Sequence, residues 1–278
     1  MSYLIPRKTK EKRHTQAGLY VTITLLAMLF LTALLAPILA PNDPYQTNIT
    51  NQLAGPSSQY PLGTDQLGRC ILSRILYGAE TSLFSSVIIV AAVFCIGTAL
   101  GILSGYFGGV LDQIVSRITT IFQAFPRMIL AIAVAGVLGI GIRNTILALC
   151  AVYWTEYARL SRSLVMQLKS RTFLKAARVC GESHLGIMVR HILPNIFPSM
   201  IVTACLDMGV MIMEISALSF LGMGVETPMA EWGEMMSAGR AYLQTNPWLI
   251  IIPGIAIFIS VMIFNLFGEK LRDRLDLR

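Results

Sequence analysis

Charged residues are scarce in this chain. Only 13% of its 278 residues are Asp, Glu, Lys or Arg, whereas 55% are hydrophobic. A soluble globular domain carries about 25% charged residues, so the composition excludes an ordinary soluble domain and favours a membrane protein. The charges are also unequal in sign, because 22 basic and 15 acidic residues give a formal net charge of +7.

Cysteine and metal-ligand patterns are sparse too. The five cysteines lie far apart, at positions 70, 95, 150, 180 and 205, and no C-x-x-C pair occurs. This spacing argues against a disulfide framework and against a structural metal site. His184 and His191 are not close enough in sequence to form a convergent ligand set, so no metal site is predicted.

Catalytic and cofactor-binding motifs are absent. The sequence contains no P-loop, no H-E-x-x-H and no nucleophile elbow. Its basic residues lack the interleaved aromatic residues of a nucleic-acid platform, so no nucleic acid is expected. A polytopic membrane enzyme stays as the alternative of another class, and it would require polar groups clustered at one membrane face.

Long apolar segments are abundant. A membrane span needs about 20 predominantly apolar residues, and six segments satisfy this: 19–40, 81–105, 118–140, 144–164, 196–222 and 247–267. The sequence therefore predicts an all-α polytopic membrane protein with six transmembrane helices. The apolar core of the first segment is longer than that of a secretory signal, so an uncleaved anchor is expected.

Lysine and arginine placement predicts the orientation. Basic residues cluster near the N-terminus, after the fourth predicted span and in the C-terminal tail. Because such residues stay on the cytoplasmic side, both termini are expected inside. The predicted organisation is a cytoplasmic N-terminal segment (1–18), the first span (19–40), an outer loop (41–80), a core of five spans (81–268) with a cytoplasmic loop at about 166–195, and a cytoplasmic tail (269–278).

Two acidic residues lie inside the fifth predicted span. Asp207 and Glu214 share one helical stripe with Met211. An ionised carboxylate near the bilayer centre costs about 2.5–3.5 kcal/mol on insertion scales, so it should face a polar partner, a subunit interface or a water-filled cavity. The stripe is either a translocation lining or a set of structural contacts. On the fourth span, Glu156 and Arg159 are spaced for an intrahelical ion pair.

The most specific segment, residues 173–195, reads FLKAARVCGESHLGIMVRHILPN. It resembles the EAA loop of ABC-importer permeases, in which two short cytoplasmic helices joined at a glycine dock on an ATPase subunit. Lys175 stands where that motif has Glu. The string LGTD-x-LGR at 62–69 resembles the signature of C-type permease subunits of the peptide/nickel importer family, although Cys70 replaces its usual acidic residue. Shorter matching strings continue to the C-terminus.

The resemblance implies roles for individual residues. Those expected to couple the chain to an ATPase are Ala176, Ala177, Gly181, Glu182, Ser183, Pro194 and Asn195, with Pro194 starting the fifth span. Those expected to contact an extracytoplasmic binding protein are Asp65, Arg69, Glu231 and Trp232.

The resemblance also implies partners, location and substrate. The partners would be a second, different permease subunit, two ATPase subunits that use the ATP, and a substrate-binding protein, at the bacterial plasma membrane. The strings at 157–159, 230–236, 240–242 and 258–262 look most like the nickel-transporting branch. Nickel, free or chelated, is therefore the expected substrate, with di- or oligopeptides as the alternative.

Overall fold

The computed structural model describes residues 7–275, with side chains from residue 17. Parts of the predicted N-terminal segment (1–6) and tail (276–278) lie outside this range. Nine helices of at least eight residues follow one another within it: α1 Arg7–Leu34, α2 Ile71–Phe107, α3 Gly109–Gln123, α4 Arg127–Leu138, α5 Ile142–Lys169, α6 Thr172–Val179, α7 Leu193–Phe220, α8 Trp232–Gly239 and α9 Trp248–Arg274.

Four helical segments of the described chain are long and apolar enough to cross a membrane: Ala17–Leu34, Ile71–Phe107, His184–Phe220 and Trp248–Arg274. The sequence predicted six. The fourth predicted span is a real helix, the 28-residue α5, but Glu156, Arg159 and Arg162 lower its hydropathy. Helices also extend beyond their predicted spans, since a backbone helix does not end where apolar side chains end.

The third predicted span is broken. Residues 118–140 were expected to form one helix, but α3 and α4 meet at an angle of 92°. The break falls at Ala124, Phe125 and Pro126, where Pro126 has a φ of −58° and a ψ of 124°, an extended conformation that a helix cannot contain. Counted together, the two helices would make a fifth span.

The chain divides into two contact units rather than into consecutive domains. The first unit joins the part up to Phe84 with the part from Cys205 onward. In it α1 packs along α9, and the Phe30 ring meets those of Phe84 and Phe264 at centroid distances of 6.1 and 6.2 Å. The outer loop is structured, because Asp43, Thr64 and Asp65 hydrogen-bond backbone N–H groups within it.

The second unit runs from Ser85 to Ala204 and has α5 as its centre. One face of α2 presents Gly97, Gly101 and Gly105 to α5, and an added Cβ at these positions would lie 2.4, 1.8 and 3.0 Å from the nearest α5 atoms. Small residues at this spacing allow two helix backbones to approach closely. Asp112 of α3 pairs with Arg162 of α5, its Oδ2 accepting from Nη2 at 2.7 Å.

Candidate functional site

The loop after α5 contains a short helix that ends in a glycine turn. At the end of α6 the backbone N–H of Glu182 donates to the carbonyl of Ala177, and that of Gly181 donates to Arg178, both at 3.1 Å. This pair of bonds is the Schellman motif, which needs a left-handed residue at its turn. Gly181 supplies it with a φ of +79°.

The second half of the loop begins at a capped helical turn. The Ser183 hydroxyl accepts a hydrogen bond from the backbone N–H of Gly186 at 3.1 Å and caps the turn His184–Gly186. A wider π-helical turn, Ile187–Ile192, leads into α7. Glu182 links the glycine turn to the π-helical turn, because its carboxylate lies 2.5 Å from Nε2 of His191 and 3.7 Å from Arg190.

Tyr106, near the end of α2, holds both halves of the loop. The buried Tyr106 hydroxyl lies 2.8 Å from Nδ1 of His184 and accepts from Arg178 at 3.4 Å. The Arg178 guanidinium also lies 5.7 Å from the centre of the Tyr106 ring. One side chain of α2 therefore contacts both halves of the loop.

The loop exposes apolar side chains outside the predicted spans. Val179 is 88% exposed, Leu185 68% and Val189 52%, and Ala176 is also exposed. Several exposed apolar side chains on one loop are typical of an interaction site when they form a patch. The loop thus offers a surface that a second protein can cover.

The sequence predicted that Pro194 starts the fifth span; Pro194 is the second residue of the α-helix α7, but helical backbone already precedes it. Helix runs without a break from His184 to Phe220, so Pro194 lies inside it. The π-helical turn just before it, in which Leu193 N–H bonds to the carbonyl of Met188, widens the backbone where the proline ring enters. Asn195 donates from Nδ2 to the carbonyl of His191 at 2.6 Å, which supports the same turn.

The residues predicted to contact a binding protein are buried. Asp65 is 6% exposed, Arg69 2%, Trp232 2% and Glu231 fully buried. These side chains themselves offer no docking surface, and contact of this region with a binding protein stays a prediction. A local sequence motif shows which residue types occur together but not whether their side chains point inward.

Two of these side chains stabilise the outer loop from within, and the other two join the start of α8 to α2 and α7. The carboxylate of Asp65 accepts from Arg69 Nε at 2.7 Å. Glu231 accepts from Ser82 at 3.1 Å, from Ser216 at 3.2 Å and from the backbone N–H of Glu234, while Trp232 donates to the carbonyl of Ile75. The motif residues here give structural support within the first contact unit.

Arg74 completes this network, and sequence reasoning did not assign it a role. It is 1% exposed and donates to the carbonyls of Pro44 and Pro228 and to Glu234, the last at 2.9 Å. Burial raises the pKa of the Glu234 carboxyl, although Arg74 opposes this. The sequence feature that could have indicated a structural role for Arg74 was its position just after a run of turn-forming residues.

The three side chains of the predicted pathway stripe, Asp207, Met211 and Glu214, differ in solvent exposure. Asp207 and Glu214 are half-buried, whereas Met211 is 1% exposed. The Oε2 atom of Glu214 is buried without a hydrogen-bond partner in the described part of the chain. A pathway role for this stripe therefore rests on the two carboxylates, since the burial of Met211 argues against its lining a path.

Among the side chains that the structure describes, residues 17–275, no group of three or more His, Cys, Asp or Glu could hold a metal ion. All five cysteines are free.

The chain matches a known family and several curated proteins. Residues 97–278 match the family described as binding-protein-dependent transport system inner membrane component. The nickel transport system permease protein NikC of Escherichia coli (strain K12) is 41% identical over 256 residues, 92% of each chain. The dipeptide transport system permease protein DppC of Alkalihalophilus pseudofirmus is 40% identical over 256 residues, 92% of this chain and 84% of that one.

A third relative and a solved structure extend the comparison. The glutathione transport system permease protein GsiD of Pectobacterium atrosepticum is 40% identical over 260 residues, 94% of this chain and 85% of that one. A chain of the MetNI methionine ABC transporter in an inward-facing conformation aligns with a TM-score of 0.59, covering 73% of this chain and 97% of that chain. At 19% identity this match shows the fold alone.

The family match extends over most of the chain, and the relatives align along nearly its whole length. The chain therefore belongs to the inner membrane components of binding-protein-dependent transport systems, as an ABC-importer permease of the peptide and nickel group.

Proposed function

We propose that this chain forms half of the translocation pathway of its importer and that residues 171–195, the coupling loop, receive the movement of an ATPase subunit. The observation that carries the proposal is the loop's construction. Exposed Val179, Leu185 and Val189 offer a surface to a partner, while Tyr106 ties both halves of the loop to α2. Of the residues predicted to couple, Ala176 and Ala177 flank that surface, and Gly181, Glu182 and Ser183 shape its turn.

The experiment replaces one loop residue in the complete transporter. Val179→Asp should prevent co-purification of the ATPase subunits and abolish substrate-stimulated ATP hydrolysis, because it puts a charge at the contact. The matched control is Ile49→Asp, since Ile49 is 72% exposed in the outer loop. Full co-purification and hydrolysis in the Val179 variant would remove the coupling assignment.

The proposed assembly has six spans with both termini inside. It takes α5 as a span despite its charges, since 28 residues extend about 42 Å, longer than the roughly 30 Å hydrocarbon layer. A second permease subunit completes the pathway, two ATPase subunits use the ATP, and a binding protein delivers substrate. This composition follows the importer architecture implied by the family.

The proposed substrate is nickel, free or chelated, with di- or oligopeptides as the second candidate. NikC at 41% identity supports the first, and DppC at 40% supports the second equally well. Uptake of radioactive nickel and of a labelled dipeptide, compared between wild-type cells and cells lacking this gene, separates the two. Loss of dipeptide uptake alone would reject nickel.

Asp207 and Glu214 are proposed to line the pathway. Asp207→Asn should reduce uptake while the assembled transporter is recovered in normal amount. Normal uptake by an assembled variant, or loss of assembly, would assign Asp207 a structural role instead.

A further inference from the structure

An exposed ion pair links α4 to α5 in the second contact unit. The Arg127 guanidinium pairs with the Glu156 carboxylate, and the two side chains remain 44% and 43% exposed. Arg127 also lies 5.2 Å from the centre of the Tyr153 ring. The sequence predicted that Glu156 would pair with Arg159, but the helix break at Pro126 brings Arg127 to it instead.

The pair lies deep within the helical hairpin. The turn Gly139–Gly141 joins α4 and α5, which pack side by side and therefore run antiparallel. Arg127 begins the 12-residue α4, about 18 Å from the turn, and Glu156 is 14 residues beyond the start of α5, about 21 Å away. With the turn at the outer surface of a hydrocarbon layer about 30 Å thick, the pair lies past the midplane.

Charged groups at this depth are not left facing lipid. Ionisable residues within spans face a bundle interior or a water-filled cavity. Since both side chains are almost half exposed on this chain, either another subunit or water must surround them. The residues around Glu156 on α5 show whether these surroundings are apolar or aqueous.

The face of α5 that bears Glu156 changes character at this residue. Spacings of three and four residues place a set of polar side chains on one stripe below it. These are Arg159, Ser163 and Gln167, all exposed or half-buried. In the other direction the same stripe carries Val152 and Leu149, both fully buried. The side chains of this stripe are therefore buried in its outer half and exposed and polar in its inner half. The wall of a water-filled vestibule requires this arrangement.

We propose that Arg127 and Glu156 form a substrate-binding site at the head of the water-filled inner half of the pathway, a site for substrates that carry a carboxylate. This inference rests on the proposed permease function and deepens it. A guanidinium holds a carboxylate through two parallel N–H bonds, and Glu156 can accept an ammonium group. A dipeptide supplies both groups and replaces both partners of the ion pair.

A free nickel ion fits this site poorly. It could bind the Glu156 carboxylate, but Arg127 would then lose its counter-charge. A nickel chelate with free carboxylate groups would satisfy Arg127. The site thus selects a carboxylate-bearing substrate, whether the carboxylate belongs to a peptide or to a chelator of nickel.

The first experiment tests the aqueous face independently of substrate. Single cysteines replace Ser163, Gln167 and Leu147 in the full importer, with the five native cysteines removed. In inside-out vesicles a membrane-impermeant thiol reagent should label the Ser163 and Gln167 positions at least tenfold faster than the Leu147 position, which is 57% exposed on the apolar outer half. Equal, slow labelling of all three would overturn the proposal.

The second experiment measures transport of a dipeptide, nickel chloride and nickel citrate. Arg127→Gln should raise the KM for the dipeptide or nickel citrate at least tenfold, with maximal rate and assembly near wild type. Arg143→Gln, at the start of α5 and away from the pair, is the matched control and should leave KM unchanged. The charge-swapped double variant, Arg127→Glu with Glu156→Arg, should remain impaired.

The outcomes separate the two levels of proposal. An unchanged KM in Arg127→Gln, or full rescue by the charge swap, would make the pair purely structural while leaving the permease function intact. If the wild-type importer moves none of the three compounds, the proposed substrates are wrong, and the labelling pattern alone decides whether the face is aqueous.

Discussion

At the scale of single residues, Arg74 holds together chain segments that are distant in sequence. It bonds to Pro44 in the outer loop, to Pro228 before α8 and to Glu234 within α8, and it lies 3.7 Å from Asp65. Every one of these contacts is at least partly buried. Loss of the guanidinium would leave two carboxylates with less counter-charge.

Arg74→Met should therefore destabilise the protein by about 3–5 kcal/mol, as expected when one partner of a buried ion pair is removed. Thermal unfolding of the purified protein in detergent measures the loss. Arg240→Met is the control, because Arg240 is exposed and its removal should change the melting temperature little. A near-normal melting temperature for Arg74→Met would contradict the network.

The loss of stability in Arg74→Met should also depend on pH. Burial already raises the pKa of Glu234, and removal of Arg74 should raise it further. An acid whose pKa is higher in the folded state loses stability as pH rises through that value. The melting-temperature difference between Arg74→Met and wild type should thus be larger at about pH 8 than at about pH 5, and an equal difference would exclude Glu234 as the cause.

Gly181 gives a second prediction at this scale. Its φ of +79° disfavours side chains, yet a Cβ there would meet no atom within 4 Å. Gly181→Val should cost about 1–2 kcal/mol through backbone strain alone and weaken ATPase co-purification. Gly181→Asn should be nearly normal, because Asn tolerates this conformation.

The control for Gly181 is Gly55→Val, at an open position without a positive φ. Equal effects of Val and Asn at Gly181 would show that conformation is not what the turn requires. The sequence identified Gly181 because a glycine between two helix-forming strings is typical of a turn. It did not show that Asp65 and Glu231 are buried, since their burial depends on chain segments distant in sequence that no local motif contains.

At the scale of helices, the glycine face of α2 sets its distance from α5. Gly101 is the tightest position, where an added Cβ would lie 1.8 Å from Ser161 Oγ and 2.3 Å from the carbonyl of Ala158. The spacing of Gly97, Gly101 and Gly105 was visible in the sequence as a small-residue repeat. Its partner helix was not, because many helices could receive such a face.

Gly101→Ala should destabilise the protein by about 1–3 kcal/mol, the usual cost of overpacking. The matched control is Gly136→Ala on α4, where a Cβ would meet nothing within 4 Å and alanine favours helix. Thermal unfolding in detergent compares the two. Equal melting temperatures would mean that α2 and α5 are not in close contact.

The helix break between α3 and α4 shows what sequence periodicity cannot supply. Pro126 signals an interruption, and the apolar residues on either side suggested that one span continues across it. The 92° angle depends on how α3 and α4 pack against α5. Hydrophobicity identified the segment, but tertiary contacts determined its path.

At the scale of the whole molecule, two introduced cysteines test the orientation in the membrane. Single cysteines at Ser57 and Ser170, both exposed, should react with an impermeant reagent from opposite sides in a background without native cysteines. Ser57 should label from outside and Ser170 from inside. Labelling of both from outside would reject the orientation with both termini in the cytoplasm.

The family could be identified from the sequence because its motifs are spread along the chain. The substrate could not, because nickel and dipeptide permeases match at 41% and 40% identity. Both identities are averages over 256 aligned residues, whatever the number of side chains that contact substrate. The overall identity therefore reflects mainly the features that nickel and dipeptide permeases have in common.

The pairing of Arg127 with Glu156 has a consequence for biosynthesis. Arg127 emerges from the ribosome 29 residues before its partner. If α4 entered the lipid before α5 was made, the charge of Arg127 would be unpaired. We expect α4 and α5 to leave the translocon together, as a hairpin whose charges neutralise each other. Nascent chains truncated before Glu156 should thus be retained at the translocon, and chains that extend beyond α5 should be released into the bilayer.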